Sequence, residues 1–167
     1  MLKCPKNEVF GNFYIFFEQI LSFYSIFAIL WSMNLIFFPD TTPCPDTESQ
    51  YTDMNGDVGK ELKKLSKGDR ELLLRVQTTL KKLKTAGNLD IFFDTQWMLP
   101  FNGFLELRIP PTRNKGVFRI YCCRDARNPM DLVLLCAEVK HKKKPMKEEV
   151  AKKKYKEYLE IVKNGEM

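Results

Sequence analysis

From Gly59 onward the apolar positions fall into regular periods. Leu62, Leu65, Leu72, Leu73, Val76, Leu80 and Leu83 recur at three- and four-residue intervals, which predicts amphipathic helix with one apolar face. The tetrapeptide Ser66-Lys67-Gly68-Asp69 interrupts that period. It predicts either a helical hairpin or one kinked helix, with Ser66 as cap of a second segment that stops at Gly87. The pattern then shortens. Phe104 to Ile109, Val117 to Cys123 and Leu132 to Val139 read as strands, separated by loops rich in Pro, Gly, Asn and Asp. Short connections between consecutive strands favour an antiparallel meander. A last segment, Met146 to Val162, returns to a helical period and offers Val150, Tyr155, Tyr158, Leu159 and Val162 for packing. Helices, then strands, then a helix predict an α+β domain over residues 60–167, with an amphipathic helical hairpin packed on a small antiparallel sheet.

The first third has no such period. Eight of the 13 Phe lie in residues 10–38, and Gln19 to Phe38 runs 20 residues without a charge. That length spans a bilayer. Lys3 and Lys6 on its N-terminal side, with only acids on the other flank until Lys60, would hold the N-terminus in the cytoplasm and export the basic domain. Glu18 and the lack of a small-residue cleavage site argue against a signal peptide. Three readings stay open for residues 1–32: a membrane segment reaching to residue 38, a packed apolar extension, or sequence upstream of a start at Met33. In the last case Met33 to Phe38 reads as a first strand. Residues 39–59, with three Pro, four Thr and five acids, read as a linker.

Charge sharpens this division. The 167 residues carry 27 Lys and Arg against 21 Asp and Glu, net +6. Residues 1–59 hold two Lys and seven acids, net -5, which leaves +11 on residues 60–167. A polyanion or an anionic membrane surface is the partner that such a domain implies. The five cysteines, Cys4, Cys44, Cys122, Cys123 and Cys136, form no CxxC pair and support neither a disulfide framework nor a metal site. Cys122 and Cys123, adjacent on a strand, point to opposite faces as small fillers. A reduced cytoplasmic protein is the simpler reading, a single-pass anchored one the alternative. With one histidine and no phosphate-binding glycine loop, metal, nucleotide and triad chemistries lose their residues, and no cofactor is expected.

Cations on the strands remain. Arg108 ends the first, Arg119 and Tyr121 share a face of the second, and Lys140, His141, Lys142, Lys143 and Lys144 come after the third. Such groups converge on phosphate, and tyrosine adds a hydrogen bond or a stacking surface. A solvated lysine turn and an exposed cross-strand pair are the plainer readings of the same residues.

The ordered set Gly103-Phe-Leu-Glu-Leu-Arg-Ile109, Phe118-Arg-Ile-Tyr121 and Val133-Leu-Leu135, leading into Lys140-His-Lys-Lys-Lys-Pro145 and a Glu-Glu helix, resembles the HigB-like branch of the RelE/ParE toxin superfamily. The resemblance covers about residues 60–162. It implies a type II toxin that cleaves messenger RNA on the ribosome without a metal, inhibits translation, and is neutralised by an antitoxin, expected to be a helix-turn-helix protein. Arg108, Arg119, Tyr121 and Lys140 match family positions. Cys136 stands at the family's histidine, Glu138 at its aromatic, and His141 where many members carry a second Lys. On this resemblance Arg108 and Arg119 stabilise charge, while Tyr121, Lys140 or His141 share the proton transfers and Lys142 to Lys144 bind RNA. A non-catalytic basic module of the same fold, binding RNA or protein, is the alternative that Cys136 and Glu138 suggest. A membrane-anchored basic protein is the other, through residues 19–38.

Overall fold

The computed structural model describes residues 33–40, 51–86, 89–109, 117–140 and 146–165. Within them the chain forms β1 (Leu35–Phe37), α1 (Gly56–Gly68), α2 (Arg70–Thr85), the short α3 (Asp90–Asp94), β2 (Met98–Phe101), β3 (Phe104–Ile109), β4 (Val117–Arg124), β5 (Leu132–Lys140) and α4 (Glu148–Asn164). The strands make one mixed sheet in the order β1-β5-β4-β3-β2. The β3 to β5 run is the expected antiparallel meander, and β2 extends it by one further antiparallel strand. Strand β1 adds to β5 in parallel, with Leu35 opposite Leu132, at the position where Met33 to Phe38 was read as a first strand.

The helical period translates directly into packing. Val58, Leu62 and Leu65 of α1 and Leu72, Leu73, Val76, Leu80 and Leu83 of α2 are buried against one face of the sheet, on Leu35, Phe37, Leu107, Ile120 and Leu134. The break falls as expected, but the cap is different. Asp69, in non-helical backbone, accepts from the Leu72 amide at 3.1 Å, whereas Ser66 stays inside α1 and donates to the Lys63 carbonyl. Aspartate wins because its carboxylate stands at the open amide end of α2, where both hydrogen bonding and the helix dipole favour an anion. Helix α2 ends at Thr85, and Gly87 lies outside the described residues. At the other end, Gly59 packs so closely on Met54 that a Cβ there would overlap the Met54 carbonyl.

Helix α4 covers part of the opposite face. It buries Ala151 and Tyr158 fully, and Tyr155, Ile161 and Val162 partly, against Ile36, Phe38, Phe104, Cys123, Val133 and Leu135. Val150 and Leu159, expected to pack, point to solvent instead. Cys122 and Cys123 do lie on opposite faces, each buried. A bulge on β5 beside Tyr121 and Cys122 places one extra residue in the strand. Leu135 and Cys136 therefore both face α4, and every later residue of β5 changes face relative to an unbroken alternation.

Two elements went unexpected, α3 and β2. The β2 to β3 turn is Asn102-Gly103, both with positive φ (48° and 89°), a dipeptide that strongly marks a two-residue hairpin. Of the candidate membrane span at residues 19–38, the described part, Met33 to Phe38, is the buried β1 strand and its flanks. No helix among the described residues is long and apolar enough to cross a membrane.

Candidate functional site

The α4 face of the sheet is apolar only where the helix lies. Beyond it, alternation on β3, β4 and β5 brings polar residues into a cross-strand rank. Arg108 on β3 is opposite Arg119 on β4, and Arg119 is opposite Glu138 on β5. One step along, Glu106 faces Tyr121, which faces Cys136. Arg108, Arg119 and Tyr121, singled out from the sequence, are thus brought together on one face. Lys140 is the last residue of β5, opposite Val117, at the Arg108 end of the rank. His141, Lys142, Lys143 and Lys144 lie outside the described residues.

The rank also contains two acids, and these set its electrostatics. Glu106 is fully buried and sits diagonally between the arginines. Its Oε2 accepts from Arg108 Nε and Nη2 at 3.1 and 2.8 Å, and its Oε1 lies 2.5 Å from Arg119 Nη1. The second contact is a charge pair and not a well-aligned hydrogen bond, and Arg119 Nε has no acceptor. The arginines differ in access: the Arg108 side chain is 40% exposed, the Arg119 side chain 10%. Arg108 is the cation that reaches solvent. Arg119 is a buried counter-ion behind it.

Glu138, also buried, holds two donors at once. Its Oε1 accepts from the Tyr121 hydroxyl at 2.8 Å, and its Oε2 accepts from the Met146 amide at 3.0 Å. Burial first, and then the Glu138 carboxylate, push the Tyr121 phenol well above its usual value, against the Arg119 guanidinium that pulls it down. At neutral pH this tyrosine keeps its proton and donates it in the hydrogen bond to Glu138. The Met146 contact brings the chain just after the basic segment to the carboxylate two residues before Lys140. Lys147 adds a second clamp through Glu61 of α1, at 3.0 Å. Lys140 and Met146, the described residues nearest the lysine-rich stretch on either side, are thus both placed at Glu138, the cross-strand neighbour of Arg119.

The Cys136 thiol, at the position matched to the family's histidine, is buried, and burial raises it to about 12. It is a neutral filler. Among the described residues no cluster of three His, Cys, Asp or Glu is placed to hold a metal ion. Two arginines and two glutamates leave the rank without a surplus of charge, so an excess of cations has to come from Lys140 and the segment after it. Sequence reasoning missed Glu106 as a site residue and met Glu138 only as a departure. The signal that could have found them was the spacing: Glu106 is two residues from Arg108 and Glu138 two from Lys140, so each shares its neighbour's face.

No family model matches this chain, and no curated protein or solved structure matches it either.

Proposed function

We propose that this domain is a toxin of the RelE/HigB type that binds messenger RNA, on the ribosome, and cleaves it without a metal. The observation that supports this most is the placement of the two residues that flank the basic segment: Lys140 ends β5 two residues after Glu138, and the Met146 amide donates to that same Glu138, in the rank that presents Arg108. A single strand of RNA laid there would meet one fixed guanidinium and up to four lysines, the arrangement that backbone recognition requires. Cleavage would use the RNA's own 2'-hydroxyl. That oxygen attacks the adjacent phosphorus as a base removes its proton, and the 5'-oxygen leaves as an acid protonates it. Arg108 offsets the charge growing on the phosphoryl oxygens, with Glu106 holding it in place. The proton carriers are Lys140 and His141, because the Tyr121 proton is committed to Glu138. A helix-turn-helix antitoxin is the expected neutralising partner.

Binding without cleavage is the second reading, and the pairing of both arginines with Glu106 favours it. The two separate in a translating extract to which the full chain is added. Arrest with new 5' ends on the message supports cleavage; arrest with intact message supports binding alone; neither outcome sinks both readings. Arg108→Ala should lower affinity for single-stranded RNA and reduce the slope of log K against log salt by about 0.7, the value of one lost phosphate contact.

A further inference from the structure

The face of α2 that looks away from the sheet is not wholly polar. Leu74 is 54% exposed and Ile91 of α3 60%, with Trp97 between them. Two adjoining grooves run along this side. One of about 490 Å³ is lined by Leu74, Arg75, Thr78, Trp97 and Ile109, and one of about 380 Å³ by Thr85, Ala86, Ile91, Phe92 and Trp97. They share Lys82 and Trp97 and so form one apolar strip. From Leu74 to Ala86 it spans about 18 Å of helix.

We infer that the N-terminal stretch Phe10 to Trp31 of the same chain covers this strip. The backbone fixes where that stretch joins the fold: the Met33 amide donates to the Lys84 carbonyl at 2.9 Å, one residue from Thr85 and two from Ala86 on the groove wall. Everything before Met33 is therefore tethered to one end of the strip. The 22 residues from Phe10 to Trp31 are long enough to run along it, since even as a helix they reach about 33 Å. Their composition matches as well. Six Phe, two Tyr and Trp31 meet Leu74, Ile91 and Trp97, and the single charge among them, Glu18, meets a rim on which Arg75 is paired with Glu71 at 3.1 Å and Lys82 supplies the net positive charge. Tethering also selects the occupant. A short linker supplies an effective concentration near millimolar, far above what a second copy offers at micromolar protein. The strip lies on the α2 side of the sheet and the arginine rank on the α4 side, so the covered face leaves Arg108 open.

Thiol reactivity in the full chain tests this. Cys4 and Cys44 are replaced by serine, the three buried cysteines are kept, and one reporter is introduced at a time by Leu74→Cys, Ile91→Cys or, on exposed α1 surface, Lys63→Cys. All three sites face solvent in the described fold, so the substitutions leave the core intact. Maleimide should react at 74 and 91 at least about tenfold more slowly than at 63, at every protein concentration, because thiol reaction requires access. Adding Phe16→Asp and Phe17→Asp should restore the rates. Equal rates at the three sites overturn the inference. Protection that vanishes on dilution assigns the strip to a second copy, and protection that survives the two aspartates assigns it to some other cover; either result overturns the inference as well.

Discussion

Glu106 offers the sharpest test of the polar rank. Its carboxylate has no exposed surface and is shared by two guanidinium groups of unequal burial. Glu106→Ala removes the acceptor from both. Arg108, 40% exposed, can turn to water, and an exposed pair of this kind contributes only about 0–1 kcal/mol. Arg119, 10% exposed between its cross-strand neighbours Arg108 and Glu138, has no such exit. Breaking a buried pair by deleting one partner costs about 3–5 kcal/mol, and the burial of Arg119 puts Glu106→Ala in that range. Glu106→Gln keeps the volume and one acceptor oxygen, so it should cost less, about 1.5–3 kcal/mol, the value of hydrogen bonds to a charged group. The double variant Glu106→Ala with Arg119→Met separates pairing from packing. Without the stranded guanidinium it should be more stable than Glu106→Ala alone. Equilibrium urea unfolding with an unchanged m-value reads all three. A loss below about 1 kcal/mol for Glu106→Ala, or a double variant no better than the single, would mean that Arg119 finds water and that the rank is not a buried charge cluster.

Other parts of the fold carry two more expected outcomes. At the β4 to β5 corner, burial alone would raise the Asp125 carboxyl, but the Arg127 guanidinium and amide and the Tyr158 hydroxyl outweigh it and hold it below the ordinary value. A depressed folded-state carboxyl contributes stability that is complete above the unfolded-state value of about 4 and is lost as pH falls through the folded value. Arg127→Ala should therefore lower stability at pH 7 and flatten its fall between about pH 5 and pH 2; an unchanged pH profile would show that the pair carries no linkage. The buried thiols give the other outcome. Burial raises Cys123 and Cys136 to about 12 and Cys122 higher still, so in a Cys4→Ser, Cys44→Ser chain Ellman's reagent at about pH 8 should find no reactive thiol until denaturant is added. Rapid reaction in native buffer would contradict the packing on both sheet faces.

The parts of the fold that were legible in advance are those where a local period had a single reading. The leucines of α1 and α2 bury where their spacing says, and β3, β4 and β5 appear within one residue of the expected limits. Arg108, Arg119 and Tyr121 share a face because alternation is a property of the strand itself. Where two signals competed, the local reading failed. Ser66 and Asp69 are both plausible caps, and only the position at which α2 turns away from α1 favours Asp69. Val150 and Leu159 have the right residue type for α4's packed side, but Ala151 and Tyr158 fit the small space beside β5 and the Asp125 corner.

The sequence by itself determined the class, the buried faces of α1 and α2, the pairing order of β3 to β5 and the gathering of the basic charge after residue 60. Those depend on side-chain period and chain connectivity, which are written locally. Only the tertiary structure decided that β1 pairs in parallel with β5, that a bulge turns both Leu135 and Cys136 toward α4, and that Glu106 and Glu138 stand inside the arginine rank. A carboxylate 13 residues from its arginine along the chain becomes its counter-ion through strand register alone, and burial then makes that pairing obligatory. This is why a stretch that reads as free cations folds into a neutral, buried network with one guanidinium left facing solvent.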